Sequence, residues 1–148
     1  MNHLRRIYPP FQSGAAAVGL LLVRLIVGAA FLYHGAALWH SPAGPSHWMG
    51  PHATMPPLLQ LLPVLAQLLG GLGLVLGALS PVTGLALILT MLGAIMAVHL
   101  PHGEPFLAPP GKHSFELAAA YLGVALVILT VGPGTLSLDY LVLGRYRR

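Results

Sequence analysis

Residues 14–38 read GAAAVGLLLVRLIVGAAFLYHGAAL, an apolar run that contains a single formally charged side chain, Arg24. A helix needs about 20 apolar residues to cross the hydrocarbon core of a bilayer, so this run is long enough to span it. It is too long for the apolar region of a signal peptide, and it contains an arginine. We therefore expect it to be an uncleaved first membrane span.

Three further apolar runs follow the first one. We place the four spans at about 14–38, 57–79, 82–100 and 115–131. Irregular backbone cannot face lipid, and the connections are short, so the sequence predicts an all-α integral membrane protein, an antiparallel four-helix bundle. Little more than Ser80-Pro81 joins the second and third spans, which predicts a tight hairpin. We interpret residues 1–148 as one membrane domain.

The composition supports a lipid environment and excludes several functions. The chain is 56% hydrophobic and only 7% charged, whereas soluble domains carry about 25% charged residues. The lipid bilayer is therefore the expected main partner. Most of the seven lysines and arginines lie near the chain ends and not on one face, so no nucleic-acid partner is expected. The absence of cysteine excludes disulfides, thiolate metal sites and iron–sulfur clusters held by this chain.

Charge at the chain ends predicts the orientation. Arginines flank the spans on both sides, at Arg5, Arg6, Arg145, Arg147 and Arg148. The segment 39–56 contains no lysine or arginine. By the positive-inside rule we expect both termini in the cytoplasm, and the connections 39–56 and 101–114 on the outer face. Trp39 and Trp48 fit an aromatic belt there.

The last residues look different from the spans. Gly132-Pro133-Gly134 ends the fourth span, and Leu136, Leu138 and Leu141 then recur around Asp139. This pattern predicts an interfacial tail over 134–148 whose apolar side chains lie at the headgroup boundary.

Polar side chains near mid-span are the first candidates for a site. Arg24, Gln67 and Thr90 each lie roughly midway along a predicted span. An arginine at that depth costs about 2.5 kcal/mol or more, so Arg24 should face the protein interior. Its acceptor could be the Gln67 amide oxygen, a backbone carbonyl, water or a ligand oxygen. Arg24 then either joins helices or holds a quinone carbonyl or an anion.

A second candidate group lies near the predicted outer helix ends. His34, His99 and Glu116 come from three different spans at similar height, and we expect them to share one pocket. Such a group suits proton transfer or a ligand, and a metal or a bis-histidine haem is an alternative, the haem being disfavoured by limited room. The simplest alternative is that His34 bonds a carbonyl or Glu116 and fixes the helix register. Glycines such as Gly28, Gly35 and those between 70 and 77 are expected to allow close helix packing.

An ordered set of motifs runs along nearly the whole chain. In order they are Arg24-Leu25 with Gly28, Phe31 and His34-Gly35; Gly70-Gly71 with Leu74 and Gly77; His99 with Gly103; Phe115-Glu116-Leu117; and GPGTLSLD over 132–139. The chain resembles the DoxX family of small membrane proteins. The resemblance implies a four-helix, multi-pass protein of the bacterial inner membrane, similar to the membrane subunit of thiosulfate:quinone oxidoreductase. Leu38, Gln67 and Pro81 stand where the family usually has Lys, Glu and Arg, so a charged network is thinned here.

Two hypotheses follow. The first is a redox-associated membrane subunit that binds quinone or serves a quinone-linked oxidoreductase together with other membrane subunits. Its candidate ligand-binding residues are Arg24, His34, Gln67, His99 and Glu116. The alternative is a non-catalytic accessory subunit of a larger respiratory or photosynthetic complex. Small-molecule transport is disfavoured because four short spans leave little room for alternating access and no acidic residue lies near mid-span.

Overall fold

A computed structural model describes residues 8–51, 53 and 55–144, and within these residues the chain is helical and has no strand. The helices are α1 (Gly14–Trp39), α2 (Pro57–Leu76), α3 (Ser80–Ala94), α4 (Glu116–Val131) and α5 (Leu138–Leu143). Helix α3 continues as a π-helical turn, Ile95–His99, and a 3-10 turn, Leu100–His102. The predicted all-α membrane class is confirmed.

Helix length agrees with the predicted spans. Helices α1 and α2, and α3 with its extension, are long and apolar enough to cross a bilayer, whereas α4 is shorter, at 16 residues. The second span ends at Leu76, three residues earlier than predicted, because Gly77 adopts a left-handed backbone with φ 63°. Leu79 is also left-handed, with φ 49°, and α3 begins immediately after it. The predicted hairpin therefore turns on residues 77–79.

Glycines bring α1 and α2 into close antiparallel contact. A Cβ added to Gly28 would lie 2.9 Å from the carbonyl oxygen of Gly71, and one added to Gly71 would lie 2.9 Å from that of Gly28. Farther along α1, Gly35 packs against Leu68. Only glycine allows backbones to approach so closely. The predicted role of these glycines is confirmed.

Helix α3 packs against both α2 and α4. Gly70 of α2 lies against Leu87, and Gly84 lies against the carbonyl of Ala125 on α4. Helices α1 and α4 touch over only a short distance. The core between the helices is built from large apolar side chains, among them Phe31, Leu74, Leu87 and Ile128. Four apolar helices thus pack in chain order.

The helices have two distinct ends. We call the end that carries residues 40–56 and 103–115 the loop end, and the end that carries the 77–79 turn and α5 the termini end. The arginines used to predict orientation, Arg5, Arg6, Arg145, Arg147 and Arg148, lie outside the described residues, as does His52. The cytoplasmic position of the termini therefore stays a prediction.

The C-terminal segment folds back onto the termini end. The Thr135 N–H donates to the carbonyl of Gln12 at 2.8 Å, and the Asp139 N–H donates to that of Gly77 at 3.0 Å. Leu138 and Leu141 remain exposed, as expected for the predicted interfacial tail, but Asp139 is buried against the protein. The sequence pattern predicted the position of the apolar side chains of the tail and did not indicate that Asp139 is buried.

Candidate functional site

A cavity of about 490 Å³ lies between α2 and α3. Its volume falls within the range of about 300–1,000 Å³ that is usual for small-molecule sites. The α3 side of the cavity is one helix face with three- and four-residue spacing: Ala86, Leu89, Thr90, Gly93, Ala94, Ala97 and Val98. Most of these residues are small. The cavity therefore exists because α3 presents a strip of small side chains toward α2.

The cavity opens sideways between the two helices. Leu62 of α2 and Leu89 of α3 both line it, and they are 53% and 61% exposed. The outward faces of membrane-crossing helices are covered by lipid, so the opening faces the acyl chains. A ligand would enter from the bilayer.

At the loop end, the segment 40–56 closes the cavity. Trp48 and Met55 line it from this segment. Gln60, which is 2% exposed, attaches this segment to α2. Its backbone carbonyl accepts the Trp48 indole N–H at 2.8 Å. Its side-chain amide accepts from the Met49 N–H at 3.1 Å and donates to the Met55 carbonyl at 2.8 Å. Because each polar atom of the Gln60 side chain has a partner, the closure is well held.

Few polar groups line the cavity. Gln67 is buried, and its amide makes no hydrogen bond within the part of the chain that the structure describes. The Thr90 hydroxyl donates to the carbonyl of Ala86 at 2.8 Å. The carbonyl of Leu59 is a further polar group. It lacks the usual helical hydrogen bond from the residue four positions later, because that residue is Pro63, which has no N–H. None of the described lining residues is charged, so the cavity suits a neutral ligand with one or two polar atoms.

Arg24 lies elsewhere. Its side chain is 1% exposed and extends from α1 toward the termini end, the direction in which helical side chains lean. Nη2 donates to the carbonyl of Leu136 at 2.6 Å, while Nε and Nη1 have no partner among the described residues. A Cβ on Gly77 would overlap the guanidinium, so glycine is required there. Of the acceptors considered for Arg24, the structure therefore contains a backbone carbonyl.

Asp139 is the main polar contact that sequence reasoning missed. Its carboxylate accepts the backbone N–H groups of Leu79 and Ser80, each at 2.8 Å, and the Ser80 hydroxyl at 2.6 Å. It thus caps the first turn of α3 from a distant part of the chain. Its charge also attracts Arg24. One sequence signal was present, since Asp139 is a lone acid in an otherwise apolar segment.

His99 pairs with a different acid from the one expected. Its Nδ1 lies 2.5 Å from Oε2 of Glu104, which the left-handed turn at Gly103 brings back toward the helix end. The hydrogen bond from His99 lowers the pKa of Glu104, and the charges of His102 and His113 act in the same direction. A partner five residues away needs only a local turn, whereas Glu116 would have to be positioned by helix packing. The sequence placed His99 in one pocket with His34 and Glu116; in the structure its ion-pair partner is Glu104.

Among the described residues, His34 and Glu116, the other two members of the predicted outer pocket, form no hydrogen bond or ion pair with His99 or Glu104. His34 packs by ring contacts with Tyr33 and Tyr121, at centroid distances of 5.9 and 6.3 Å. Glu116 is exposed in the first turn of α4. Across the described residues, no three histidine or carboxylate side chains form a group that could hold a metal ion. Of the five predicted site residues, Gln67 alone lines the cavity.

The helices and the cavity define a small, multi-pass α-helical membrane protein with a lateral opening to lipid. The model of the DoxX family matches residues 19–100, which is more than half of the chain and includes both walls of the cavity. The chain belongs to the DoxX family. No curated protein and no solved structure matches the chain.

Proposed function

We propose that the cavity between α2 and α3 binds a membrane-dissolved quinone and that the protein serves a quinone-linked oxidoreductase of the bacterial inner membrane. One observation carries the proposal: an apolar cavity that faces lipid contains the amide of Gln67, which has no hydrogen-bond partner among the described residues. A quinone combines an apolar ring and tail with two carbonyl oxygens, and such a ligand needs an apolar slot with few polar groups.

The properties of the cavity support a quinone over other lipids. Anionic headgroups would need a cation, and none of the described lining residues is charged. The Gln67 amide can donate to one ring carbonyl. The tail can leave through the opening between Leu62 and Leu89, while Trp48 and its neighbours close the loop end. The chain thus holds the ring in an apolar site and orients it through a single donor.

The redox chemistry requires a second protein. Reduction of a quinone to a quinol takes up two electrons and two protons. The chain has no cysteine and so cannot hold a cysteine-ligated iron–sulfur cluster. We therefore propose that an electron-transferring subunit supplies or accepts the electrons and that this chain supplies the membrane-embedded binding site.

The topology is part of the same proposal. Helix α4 packs on α3 and would complete a four-helix bundle, with both termini in the cytoplasm. Its 16 residues extend about 24 Å, somewhat less than the bilayer core of about 30 Å. The loop end and the His99–Glu104 pair would then face outward.

Tryptophan fluorescence can test the binding. The chain has two tryptophans, and Trp48 lines the cavity, so a Trp39→Phe background leaves one reporter beside the ligand. Titration of the purified protein in lipid nanodiscs with a short-tailed benzoquinone should quench this signal to saturation. Absence of saturable quenching would contradict the proposal and favour the accessory-subunit alternative.

A matched pair of glycine variants locates the site. A Cβ on Gly93 meets no atom within 4 Å, and Gly93 lines the cavity, so Gly93→Leu should fill the cavity without disturbing the helices. We expect at least a tenfold loss of quinone affinity. Gly123 on α4 is equally open but does not line the cavity, so Gly123→Leu should bind normally. Equal affinity in the two variants would place the ligand elsewhere.

A further inference from the structure

We infer that the cavity binds the reduced quinol more tightly than the oxidised quinone. The inference rests on the proposed function, and it follows from the hydrogen-bonding capacity of the groups that line the cavity. A quinone presents only acceptors, its two carbonyl oxygens. A quinol presents two O–H groups, each of which can donate as well as accept.

Free donors are scarce in the cavity. The indole N–H of Trp48 is committed to the carbonyl of Gln60 at 2.8 Å. The Thr90 O–H is committed to the carbonyl of Ala86, also at 2.8 Å. Among the side chains that the structure describes there, the Gln67 amide is left as the free donor. A bound quinone could satisfy only one of its carbonyls directly.

Free acceptors are more numerous. A hydroxyl that donates its proton keeps lone pairs, so Thr90 Oγ1 can still accept. The carbonyl of Leu59 lacks the helical N–H that Pro63 cannot provide, and both residues line the cavity. The Gln67 amide oxygen is a third acceptor. In an apolar site an unpaired polar group is costly, so a ligand that donates hydrogen bonds is favoured.

The preference has an electrochemical consequence. Tighter binding of the reduced form raises the midpoint potential of the bound couple relative to the free one. A tenfold difference in dissociation constant corresponds to about 30 mV for a two-electron couple. We expect at least this tenfold difference, so the site would stabilise the product of quinone reduction.

Calorimetry under anaerobic conditions can measure the affinity of the protein for the quinone and for the quinol. The purified protein in nanodiscs is titrated with decylubiquinone and, separately, with decylubiquinol. We expect the quinol to bind at least tenfold more tightly. If neither form binds, the proposed function is overturned together with this inference. If both bind with equal affinity, or if the quinone binds more tightly, only the inference is overturned.

Variants test the acceptors individually. Thr90→Val keeps the shape and removes the acceptor, so the preference for quinol should fall below about threefold. Thr130→Val is the matched control, because the Thr130 hydroxyl makes the same bond to a carbonyl four residues earlier, at 2.7 Å, on the exposed face of α4.

Pro63→Ala restores the N–H for the Leu59 carbonyl and should also reduce the preference for quinol. An unchanged preference in both cavity variants would overturn the inference.

Discussion

A single buried arginine shows how much one residue depends on distant parts of this chain. Arg24 was recognisable from sequence as a cation that must face the interior. Its acceptor, the Leu136 carbonyl, is 112 residues later in the chain, so no local pattern could identify it. The structure places Arg24 at the termini end, outside the cavity lining, where its hydrogen bond to the Leu136 carbonyl connects α1 to the C-terminal segment.

Substitution of Arg24 should affect stability and leave ligand binding unchanged. Arg24→Gln is too short to reach Leu136 and leaves that carbonyl unpaired, so we expect the protein to lose about 2–4 kcal/mol of stability. Arg24→Lys keeps the charge but loses the planar guanidinium group, and it should reduce the stability by less than Arg24→Gln does. Thermal unfolding measures the loss of stability in both variants. Quenching of Trp48 fluorescence should show a quinone affinity within twofold of that of the parent protein. Lost affinity at unchanged stability would instead assign Arg24 to a ligand site.

The His99–Glu104 pair predicts a pH dependence at the loop end. The hydrogen bond from His99 lowers the pKa of Glu104 below its ordinary value of 4.5. A lowered pKa in the folded state means that the contribution to stability is present above about pH 4.5 and is lost as the pH falls through the lowered pKa. Carbon-13 NMR of the two glutamate carboxyl groups can follow the titration.

A histidine variant isolates the cause of that shift. In His99→Leu the pKa of Glu104 should rise toward its ordinary value, because the largest cause of the lowering is removed. A Glu104 titration unaffected by His99→Leu would show that the pair does not form in solution.

At the scale of the elements, helix positions were predictable but their contacts were only partly so. The length of an apolar run and the presence of small residues are local properties, so the spans and the close contact at Gly28 and Gly71 could be predicted. The cavity depends on how α2 and α3 are rotated against each other and on a π-helical turn at Ile95–His99, which no periodicity revealed. Gln67, the predicted site residue that lines the cavity, was singled out because a polar amide in mid-span is unusual.

The close approach of α1 and α2 should tolerate no side chain at its centre. Gly28→Leu would place atoms where the Gly71 carbonyl and Val75 already lie, so we expect a loss of about 1–3 kcal/mol or more in unfolding free energy. Gly19→Leu is the control on the same helix, since a Cβ there meets nothing within 4 Å. Unfolding by detergent titration compares the two. Equal stability would mean that the contact is looser than the structure indicates.

For the whole molecule, orientation decides which side of the membrane a redox partner would approach. The positive-inside rule predicts that reporter fusions at Met1 and Arg148 are cytoplasmic and that one at Met49 is external. Alkaline phosphatase and green fluorescent protein fusions report the two compartments. If Met49 were cytoplasmic, the loop end and the His99–Glu104 pair would face the cytoplasm, and an electron-transferring partner would have to dock from that side.

The segment around Leu136 and Asp139 also determines when Arg24 and the start of α3 gain their hydrogen-bond partners during synthesis. At about 5–20 residues per second, roughly 6–22 s separate the addition of Arg24 from that of Leu136, and Asp139 follows later still. During that interval the nascent helices enter the membrane with an unpaired guanidinium and an uncapped α3. A ribosome that stops before Leu136 would release a chain with both defects. Such chains should be preferred substrates for membrane proteases, so the partners supplied by Leu136 and Asp139 would protect the molecule from the quality-control machinery.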